Sequence, residues 1–461
     1  MQSMDCETWF KQLKSKKVLV LGLGISNRPL VRMLLEHGIS VTACDKTPRD
    51  QAGAEILELE AAGAELKLGA AYLDNLSGDV VFRTPGMHPD IPAIARLRAQ
   101  GAVLTSEMEA FFDVCPCPII AVTGSDGKTT TTTLIAEMLR QAGRRVWLGG
   151  NIGAPLLPEA VHMLPTDIAV LELSSFQLLT MTCSPQIAVV TNLSPNHLDV
   201  HRDYSEYIEA KANIFTHQDS SGIVILNLDN DITRSFAARA PGQVRWFSRR
   251  QMPDAGVCLQ NGAVLRADMP SEIILKTDDI LLPGLHNVEN YMAAICAVQD
   301  LVSYEDIRAV ARSFAGVEHR IELVREKDGV RFYNDSIASS PSRTIAGLHS
   351  FNQKVILIAG GKDKGISYDS LGPELVEHVR VLVLTGMTAG KIRAAAEKAP
   401  AYAPGSPEIL EIEDFADAVR TAAGLAVPGD IVILSPASTS FDRFRNFMER
   451  GNVFKNIVME L

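Results

Sequence analysis

A glycine-rich turn between a predicted strand and a predicted helix constrains the fold of this chain more than any other feature. The apolar run at 118–122 predicts a buried strand, and residues 130–141 predict a helix with one apolar side. Between them stands Thr-Gly-Ser-Asp-Gly-Lys-Thr, residues 123–129. Such a turn directs backbone N–H groups and the positive end of the helix dipole at one point. The segment therefore predicts an α/β layer built around a phosphate-binding loop.

Two side chains of this turn suit a nucleoside triphosphate. Lys128 can reach the outer phosphates, and the hydroxyl of Thr129 can ligate Mg²⁺. The general P-loop pattern has a glycine five residues before Gly127, where this chain has Val122. A chance Gly-Lys-Thr in a surface turn is the alternative, which the flanking strand and helix disfavour. We expect an ATP- or GTP-binding site.

Size and charge narrow the class of protein. A chain of 461 residues is too long for one ordinary core, so several domains are expected. The net charge of −11 argues against nucleic acid as a partner. No apolar run is long enough to span a membrane, and the start lacks the pattern of a signal peptide. The seven scattered cysteines are typical of a reduced, cytoplasmic protein.

Alternating strand and helix patterns predict three α/β domains in series. We expect a Rossmann-like N-terminal domain at 1–112 and a Rossmann-like C-terminal domain at 317–461. The central P-loop mononucleotide-binding domain, 113–316, is expected to contain a small antiparallel patch between residues 243 and 282. The proline-containing stretch 113–118, with Cys115 and Cys117, is interpreted as a linker.

Polar side chains follow the strands predicted next to the P-loop. Glu172 ends the apolar run 168–172, where an acid can hold Mg²⁺ near Thr129, although a helix cap or a surface acid is the alternative. His197 lies in the loop after the next strand, together with His201. These histidines suit a metal or phosphate site equally as well as a structural role. Lys211 alone is typical of a solvated helix lysine.

The segment Gly22–Asn27 follows the first predicted strand and resembles a dinucleotide fingerprint, with Asp45 at a suitable distance downstream. Asn27 replaces the third glycine. A glycine turn at a helix start binds any diphosphate, so a UDP-sugar suits it as well as NAD, and a purely structural turn is the third interpretation.

Segments at the second domain junction and near predicted strand ends of the last block could clamp a substrate carboxylate. Arg320 could bridge phosphates, and Asp335 could position a metal or water. The stretches 360–365 and 435–447 offer amides, ammonium groups and hydroxyls. Each segment could equally be a plain turn or helix cap.

In this order, the motifs resemble those of the Mur ligase family over essentially the whole chain. The motifs that carry the resemblance are the P-loop and residues 149–153, 172–177, 196–199, 284–290, 318–320, 334–336 and 440–447. The resemblance implies an N-terminal domain for a UDP-sugar, a central ATPase domain and a C-terminal amino-acid domain. Within the family, the pattern is most similar to members that add D-glutamate.

The resemblance also implies roles for individual residues. ATP would contact Gly124, Ser125, Asp126, Gly127, Lys128, Thr129, Thr130, Asn287, Asn290, Arg320 and Asp335. The UDP-substrate would contact Gly24, Ile25, Ser26, Asp45, Gly86, Asn151 and His197. D-glutamate would contact Ser339, Lys364, Ser440 and Phe447. Two Mg²⁺ ions would be held by Thr129, Glu172, His197 and Lys211, the last as a carbamylated lysine. The catalytic set would be Lys128, His197, Lys211, Arg320 and Asp335.

The activity implied is ATP-dependent ligation of D-glutamate to UDP-N-acetylmuramoyl-L-alanine through an acyl phosphate, in cytoplasmic synthesis of peptidoglycan precursors. We expect small-molecule substrates only, and a monomer. The D-glutamate-adding subtype often shows Asp-Ser-Lys-Ala-Thr, whereas this chain has Ile337 in place of the lysine and Ser339 in place of the threonine. Ile337 cannot supply a positive charge, so a substrate contact made by that lysine must be lost or replaced.

Three other functions remain open from the sequence. A folylpolyglutamate synthase-like ligase shares the central motif but does not need the separate N-terminal domain. A nicotinamide dehydrogenase would use Gly22–Asn27 and Asp45, leaving the P-loop unexplained. A non-enzymatic P-loop switch protein would bind ATP without turnover that depends on an amino acid.

Overall fold

The computed structural model describes residues 4–194, 201–363 and 365–461. The chain folds as an α/β protein with three mainly parallel sheets of five, nine and six strands, which confirms the predicted fold class. It divides into two compact units, Met1–Asp279 with Val288–Val310, and Ile280–Asn287 with Ala311–Leu461. No helix among the described residues has both the length and the apolar character that crossing a membrane requires.

The first sheet is wholly parallel and lies within the range predicted for the N-terminal domain. Its strands are β1 (Val18–Leu21), β2 (Val41–Asp45), β3 (Glu65–Leu68), β4 (Val80–Arg83) and β5 (Val103–Thr105). Its helices are α1 (Cys6–Leu13), α2 (Asn27–Glu36), α3 (Ala54–Ala61), α4 (Pro92–Ala99) and α5 (Glu107–Val114). In the strand order β3-β2-β1-β4-β5, β2 and β3 lie on one side of β1, whereas β4 and β5 lie on its other side. The point between β1 and β4 is therefore a topological switch point. Ligands of such sheets bind at this switch point.

The second sheet carries the P-loop. Its strands are β6 (Ile119–Thr123), β7 (Val146–Gly150), β8 (Ile168–Glu172), β9 (Ile187–Val190), β10 (Ile223–Asn227), β11 (Gln243–Ser248), β12 (Gly256–Gln260), β13 (Ala263–Arg266) and β14 (Met269–Lys276). The helices of this part of the chain are α6 (Lys128–Gln141), α7 (Ser175–Leu178), α8 (Tyr204–Thr216), α9 (Asp231–Ser235), α10 (Leu285–Val298) and α11 (Tyr304–Ser313). The order is β14-β13-β12-β11-β10-β9-β6-β8-β7.

The antiparallel patch predicted between residues 243 and 282 is present and is formed by β12, β13 and β14. Only the pairs β12–β13 and β13–β14 are antiparallel, whereas β11 pairs parallel with both β10 and β12. The crossover from β10 through α9 returns the chain in the same direction, which a short hairpin cannot do. β11 lies within the predicted range but belongs to the parallel part of the sheet.

A single apolar core joins the first two sheets. Phe82 and Phe111 from the first belong to the same buried cluster as Leu171 and Val190 from the second. The predicted boundary between residues 112 and 113 falls within α5. Cys115 and Cys117 are only 5% and 4% exposed, so both cysteines belong to the core and not to an exposed linker.

The third sheet lies in the second unit. Its strands are β15 (Glu322–Lys327), β16 (Val330–Asn334), β17 (Val355–Ala359), β18 (Val379–Leu384), β19 (Glu408–Glu411) and β20 (Ile431–Leu434). Its helices are α12 (Pro341–Leu348), α13 (Leu371–His378), α14 (Ala389–Glu397), α15 (Phe415–Gly424) and α16 (Phe447–Glu460). The order is β15-β16-β20-β17-β18-β19, with only β15 antiparallel. Leu357 faces one apolar layer, and Ile356 and Ile358 face the other.

Candidate active site

The turn between β6 and α6 adopts a backbone conformation that only glycine accepts easily. Gly124 and Gly127 have φ angles of 150° and 76°. A Cβ atom at Gly124 would lie 1.9 Å from Thr191 Oγ1, and one at Gly127 would lie 2.2 Å from Asn290 Oδ1. Both positions therefore require glycine, because of the positive φ angle and because Thr191 and Asn290 pack closely against the turn.

Lys128 and Thr129 occupy the start of α6. Because the first N–H groups of a helix have no acceptor within it, they are available to an anion. Lys128 Nζ donates to the carbonyl oxygens of Gly124 and Ser125 at 3.0 and 2.9 Å, so the ammonium lies over the turn. Thr129 and Thr130 are buried within the first turn of the helix.

Neighbouring segments hold the turn in place. Ser125 Oγ accepts from the Ser194 N–H at 2.9 Å and lies 2.8 Å from the hydroxyl of Tyr207. The Asp126 N–H donates to Asn192 Oδ1 at 2.9 Å. Tyr207 was missed by the sequence analysis, although it stands four residues before Lys211 on α8 and so shares its face.

Two asparagines, Asn287 and Asn290, were predicted to contact ATP. Asn290 lies beside the turn, where its Oδ1 accepts from Thr131 Oγ1 at 3.4 Å. Asn287 is buried, and its Nδ2 donates to the Pro283 carbonyl at 2.7 Å. Asn290 is therefore a neighbour of the P-loop, whereas the described bond of Asn287 is to the segment before α10.

Glu172 ends β8, the strand next to β6, and is buried. Its Oε1 accepts from Asn151 Nδ2 at 2.7 Å. Its Oε2 is buried and has no hydrogen-bond partner among the described residues. A buried carboxylate oxygen without a donor is costly unless a cation or water satisfies it. The position therefore suits a metal ligand and does not fit the surface-acid alternative.

Lys211 is a buried amine and not a solvated helix lysine. Its Nζ donates to Thr123 Oγ1 at 3.1 Å, and Thr123 in turn donates to the Leu173 carbonyl at 2.7 Å. Burial, followed by the positive charge of Lys128, lowers the pKa of Lys211 well below its ordinary value. The amine is thus held at the end of β6, close to the P-loop, in a setting that favours its neutral form.

Of the two histidines predicted after β9, His201 lies among the described residues. His197 lies outside the described residues. His201 is buried, with Nε2 2.9 Å from Ser175 Oγ and Nδ1 3.3 Å from Glu206 Oε2. Its ring stacks on Phe176 with centroids 5.2 Å apart. These contacts engage both ring nitrogens, so His201 itself packs against α7 and the first turn of α8.

The glycine turn after β1 meets the loop after β4 at the switch point of the first sheet. A Cβ atom at Gly22, whose φ is 86°, would lie 2.6 Å from Thr84 Cγ2. Gly24 and Gly86 face open space, and Ile25 is 73% exposed. The backbone of the turn is therefore not covered by side chains beside the start of α2.

Asp45 and Asn27 shape this turn. Asp45 Oδ2 accepts from the Leu23 N–H at 2.7 Å, and Oδ1 accepts from the Thr47 N–H at 2.9 Å. Burial alone raises the pKa of Asp45, but these bonds outweigh it and lower the pKa overall. Asn27 donates to the Gly22 carbonyl at 2.8 Å, and Ser26 precedes the first residue of α2. The asparagine in place of the third glycine therefore braces the turn.

Asp335 lies just after β16 in the second unit. Its Oδ2 accepts from Ser435 Oγ at 2.7 Å, and its Oδ1 accepts from the Ile321 N–H at 3.3 Å. Burial raises the pKa of Asp335 to about 7, although Ser435 and Arg320 oppose that shift. Arg320 is half-buried, and its Nε has no hydrogen-bond partner within the described part of the chain.

Ser339 and Ser440, two of the residues predicted to bind D-glutamate, follow the neighbouring parallel strands β16 and β20 of the third sheet. Ser440 follows β20 and is buried, whereas Ser339 is half-buried. Phe447 is also half-buried, and its ring meets His319 edge-on at 5.9 Å. Lys364 lies outside the described residues. The half-buried Ile337 donates its N–H to the His319 carbonyl at 3.1 Å.

Arg450 underlies these loops and was missed by the sequence analysis. It is buried, and its guanidinium donates to Ser336 Oγ, to the Ser336 carbonyl and to the Ser438 carbonyl at 3.0, 2.8 and 3.2 Å. Burial lowers the pKa of Arg450 to about 10. No local pattern on α16 marks this arginine, because its partners are distant in sequence.

Comparison with known proteins gives full-length matches. The Mur ligase middle domain matches residues 122–298, and the "Mur ligase, glutamate ligase domain" matches residues 319–438. The UDP-N-acetylmuramoylalanine–D-glutamate ligase of Acetivibrio thermocellus is 54% identical, with 97% of both chains covered. The ligase of the same name from Ruminiclostridium cellulolyticum is 50% identical over 99% of both chains.

A solved structure shares the fold. The UDP-N-acetylmuramate-alanine ligase of Thermotoga maritima superposes with a TM-score of 0.61 and 17% identity, covering 96% of this chain and 99% of its own. At that identity, the likeness concerns the fold alone.

Proposed function

This chain belongs to the Mur ligase family, and from that premise we propose that it joins D-glutamate to UDP-N-acetylmuramoyl-L-alanine with hydrolysis of ATP. The observation that carries the proposal is the 54% identity, over 97% of both chains, to a ligase named for those two substrates. The folate-type ligase, the dehydrogenase and the switch protein do not account for similarity along the whole chain. The reaction belongs to the synthesis of peptidoglycan precursors in the cytoplasm.

The P-loop supports the ATP-binding part of the proposal. The N–H groups at the start of α6 and the ammonium of Lys128 would bind the β- and γ-phosphates. Ser125, Asp126 and Thr130 complete the turn, and Asn290 lies behind it. The contacts of Arg320 and Asp335 with phosphates, and of Asn287 with the adenine, stay predictions.

The residues beside the P-loop fit Mg²⁺. Thr129 offers a hydroxyl oxygen and Glu172 a carboxylate, and oxygen ligands are those that Mg²⁺ prefers. The buried, unpartnered Glu172 Oε2 is the observation that supports this fit. When bound, Mg²⁺ would neutralise charge on the phosphoryl oxygens. A second ion, held by Lys211 and His197, is the finer part of the proposal.

A carbamylated Lys211 would explain a buried lysine at such a site. Only a neutral amine reacts with CO₂, and the lowered pKa of Lys211 favours that form. The reaction forms a C–N bond and releases one proton, which leaves a carboxylate in place of an ammonium. An anion at this position would balance Lys128 and supply oxygen ligands. The amine itself could do neither.

The two other substrates are assigned to the other sheets. We infer that the open turn at Gly24, Ile25 and Ser26, with Gly86, binds the UDP moiety at the start of α2, while Asp45 keeps that turn in shape. Asn151, whose Nδ2 donates to Glu172, would contact the UDP-substrate. D-glutamate is assigned to the edge of the third sheet, to Ser339, Lys364, Ser440 and Phe447.

The reaction needs no nucleophile from the protein. The carboxylate of UDP-N-acetylmuramoyl-L-alanine attacks the γ-phosphorus, so a new O–P bond forms while the bond to ADP breaks. Lys128 and the α6 N–H groups stabilise the charge that develops on the phosphoryl oxygens. The neutral amine of D-glutamate then attacks the acyl carbon, its proton is lost, and phosphate leaves from the tetrahedral intermediate.

Phosphate release from the purified chain tests this function. The assay contains ATP, Mg²⁺ and UDP-N-acetylmuramoyl-L-alanine, with D-glutamate, L-glutamate, L-lysine or diaminopimelate added separately. We expect release with D-glutamate only, despite Ile337. Release with another amino acid instead would move the chain to a different subtype. An absence of release with all four would contradict the ligase proposal.

A further inference from the structure

Two imidazoles and one carboxylate lie close together within the second unit. His349, which follows α12, lies with its Nε2 2.6 Å from Glu374 Oε2. His378 Nε2 lies 3.4 Å from the same oxygen. One potential ligand atom from each of the three residues lies within 4.8 Å of the other two. The centroids of the two imidazole rings are 5.0 Å apart.

The fold fixes this arrangement through two packed helices. Glu374 and His378 stand four residues apart on α13, so they share one face of that helix. Leu348 of α12 belongs to the same apolar cluster as Leu371 and Leu375 of α13, which fixes the end of α12 beside α13. His349 immediately follows Leu348 and is therefore held against the Glu374–His378 face.

We propose that His349, Glu374 and His378 form a binding site for a divalent transition-metal ion, with Zn²⁺ as the favoured ion. Zinc bonds to nitrogen and carboxylate oxygen are about 2.0–2.2 Å long, so tetrahedral ligands lie roughly 3.3 Å from one another. The two separations from Glu374 Oε2, 2.6 and 3.4 Å, bracket that value. The two imidazole nitrogens lie within 4.8 Å of one another, and side-chain rotations that shorten this separation would bring the three atoms around one ion.

The ligand set distinguishes this site from the proposed Mg²⁺ site. Imidazole nitrogens suit Zn²⁺, Cu²⁺ and Ni²⁺, whereas Mg²⁺ prefers carboxylate, carbonyl and water oxygens. Three protein ligands leave a fourth position for solvent. His349 is 49% exposed and the other two side chains about a quarter, at 27% and 24%, so water can reach that position. None of the three residues is assigned to ATP, UDP-substrate or D-glutamate.

A bound ion would tie α12 to α13. Because it binds the folded unit and not the unfolded chain, it raises the stability of that unit by mass action. None of its three residues belongs to the set proposed for catalysis or substrate binding, so loss of the ion should leave the ligase reaction unchanged. This separates the inference from the proposed function, since each is tested by a different readout.

Metal binding by the full-length chain tests the site. Zn²⁺ is titrated against a chromophoric chelator, and Co²⁺ is used as a spectroscopic substitute. We expect a single strong equivalent, a tetrahedral Co²⁺ spectrum without thiolate charge transfer, and a Zn²⁺-dependent rise in the thermal midpoint. His349→Ala and His378→Ala should each weaken Zn²⁺ binding by at least about ten-fold. Loss of a residue that only supports a metal ligand already weakens binding by that factor, and these residues are proposed as ligands themselves. His162→Ala and His217→Ala, at exposed histidines, are the matched controls.

Circular dichroism shows whether each variant is folded, and Glu374→Gln provides a third variant that keeps the size of the side chain. Three results overturn the site: affinity unchanged in the folded His349 and His378 variants, equal weakening in the control variants, or a thiolate charge-transfer band showing that cysteine binds the ion. The proposal requires that Zn²⁺ affinity falls only in the variants of His349, Glu374 and His378.

Discussion

The buried amine of Lys211 can be removed by Lys211→Met with little change of side-chain volume. Among the described residues, this amine donates one hydrogen bond, to Thr123 Oγ1 at 3.1 Å. Losing one such bond costs about 0.5–1.5 kcal/mol. Thr123 still donates to the Leu173 carbonyl, so the substitution leaves no new unpaired hydroxyl donor.

An opposing term limits the loss of stability. Burial lowers the pKa of Lys211, so the unfolded chain binds a proton that the folded chain releases. Methionine removes this cost of folding. The net change should therefore be no more than about 1 kcal/mol, equivalent to roughly 2–4 °C in a domain of 150–250 residues. In CO₂-free buffer, wild type should gain stability relative to the variant as pH rises toward about 10.4, the ordinary pKa of lysine.

Activity should respond very differently. Removing one preorganised electrostatic group costs about 10²–10³ in rate, and we expect at least the lower figure for Lys211→Met. Phosphate release with D-glutamate measures the rate, and scanning calorimetry measures the thermal midpoint. Lys14→Met, at an exposed lysine of the same unit, should change neither. A folded Lys211→Met enzyme with near-wild-type turnover would refute the role assigned to this amine.

Three further substitutions test the region around the P-loop and the core. Lys128→Ala should lower phosphate release by at least about a hundred-fold, because the group that stabilises the phosphoryl charge is lost. Gly127→Ala should destabilise the first unit by roughly 1–3 kcal/mol, since φ is 76° and the new Cβ would lie 2.2 Å from Asn290 Oδ1. Glu107→Gln should become more stable than wild type as pH rises from about 4.5 to 7, by on the order of 1–3 kcal/mol. Burial raises the pKa of Glu107 to about 7, so folding above pH 4.5 requires the unfolded chain to take up a proton.

Each of these substitutions has its own control. Lys14→Ala should keep full phosphate release, and an equal loss in that variant would point to a nonspecific effect. Adding Asn290→Ala should recover part of the Gly127→Ala loss, because it removes the steric clash but not the backbone strain. Glu36→Gln, at an exposed acid, should show no such pH trend. A pH-independent difference for Glu107→Gln would contradict the assigned protonation.

The P-loop could be predicted because its signals are local. A buried strand, two glycines and a helix stand within about two dozen residues, and each needs only its neighbours to be recognised. The doubly wound pattern was predicted for the same reason, from alternating apolar runs. The parallel pairing of β11 was not, because a strand's partner depends on a crossover and not on its own residues.

Burial across distant segments was the information that the sequence lacked. Lys211 resembles any helix lysine until the fold places it under Thr123, and Arg450 reaches Ser336 over more than a hundred residues. Cys115 and Cys117 stand beside prolines, which suggested a linker, yet they pack in a core shared by two sheets. The burial of such residues depends on tertiary packing, which local propensity does not encode.

Transfer of oxygen from substrate to phosphate tests the central claim most directly. UDP-N-acetylmuramoyl-L-alanine labelled with ¹⁸O in its carboxylate is incubated with the full chain, ATP, Mg²⁺ and D-glutamate, and both products are analysed by mass spectrometry. An acyl phosphate predicts one ¹⁸O in each released phosphate and a product heavier by one glutamyl residue. Unlabelled phosphate, or labelled phosphate without the ligated product, would contradict the account.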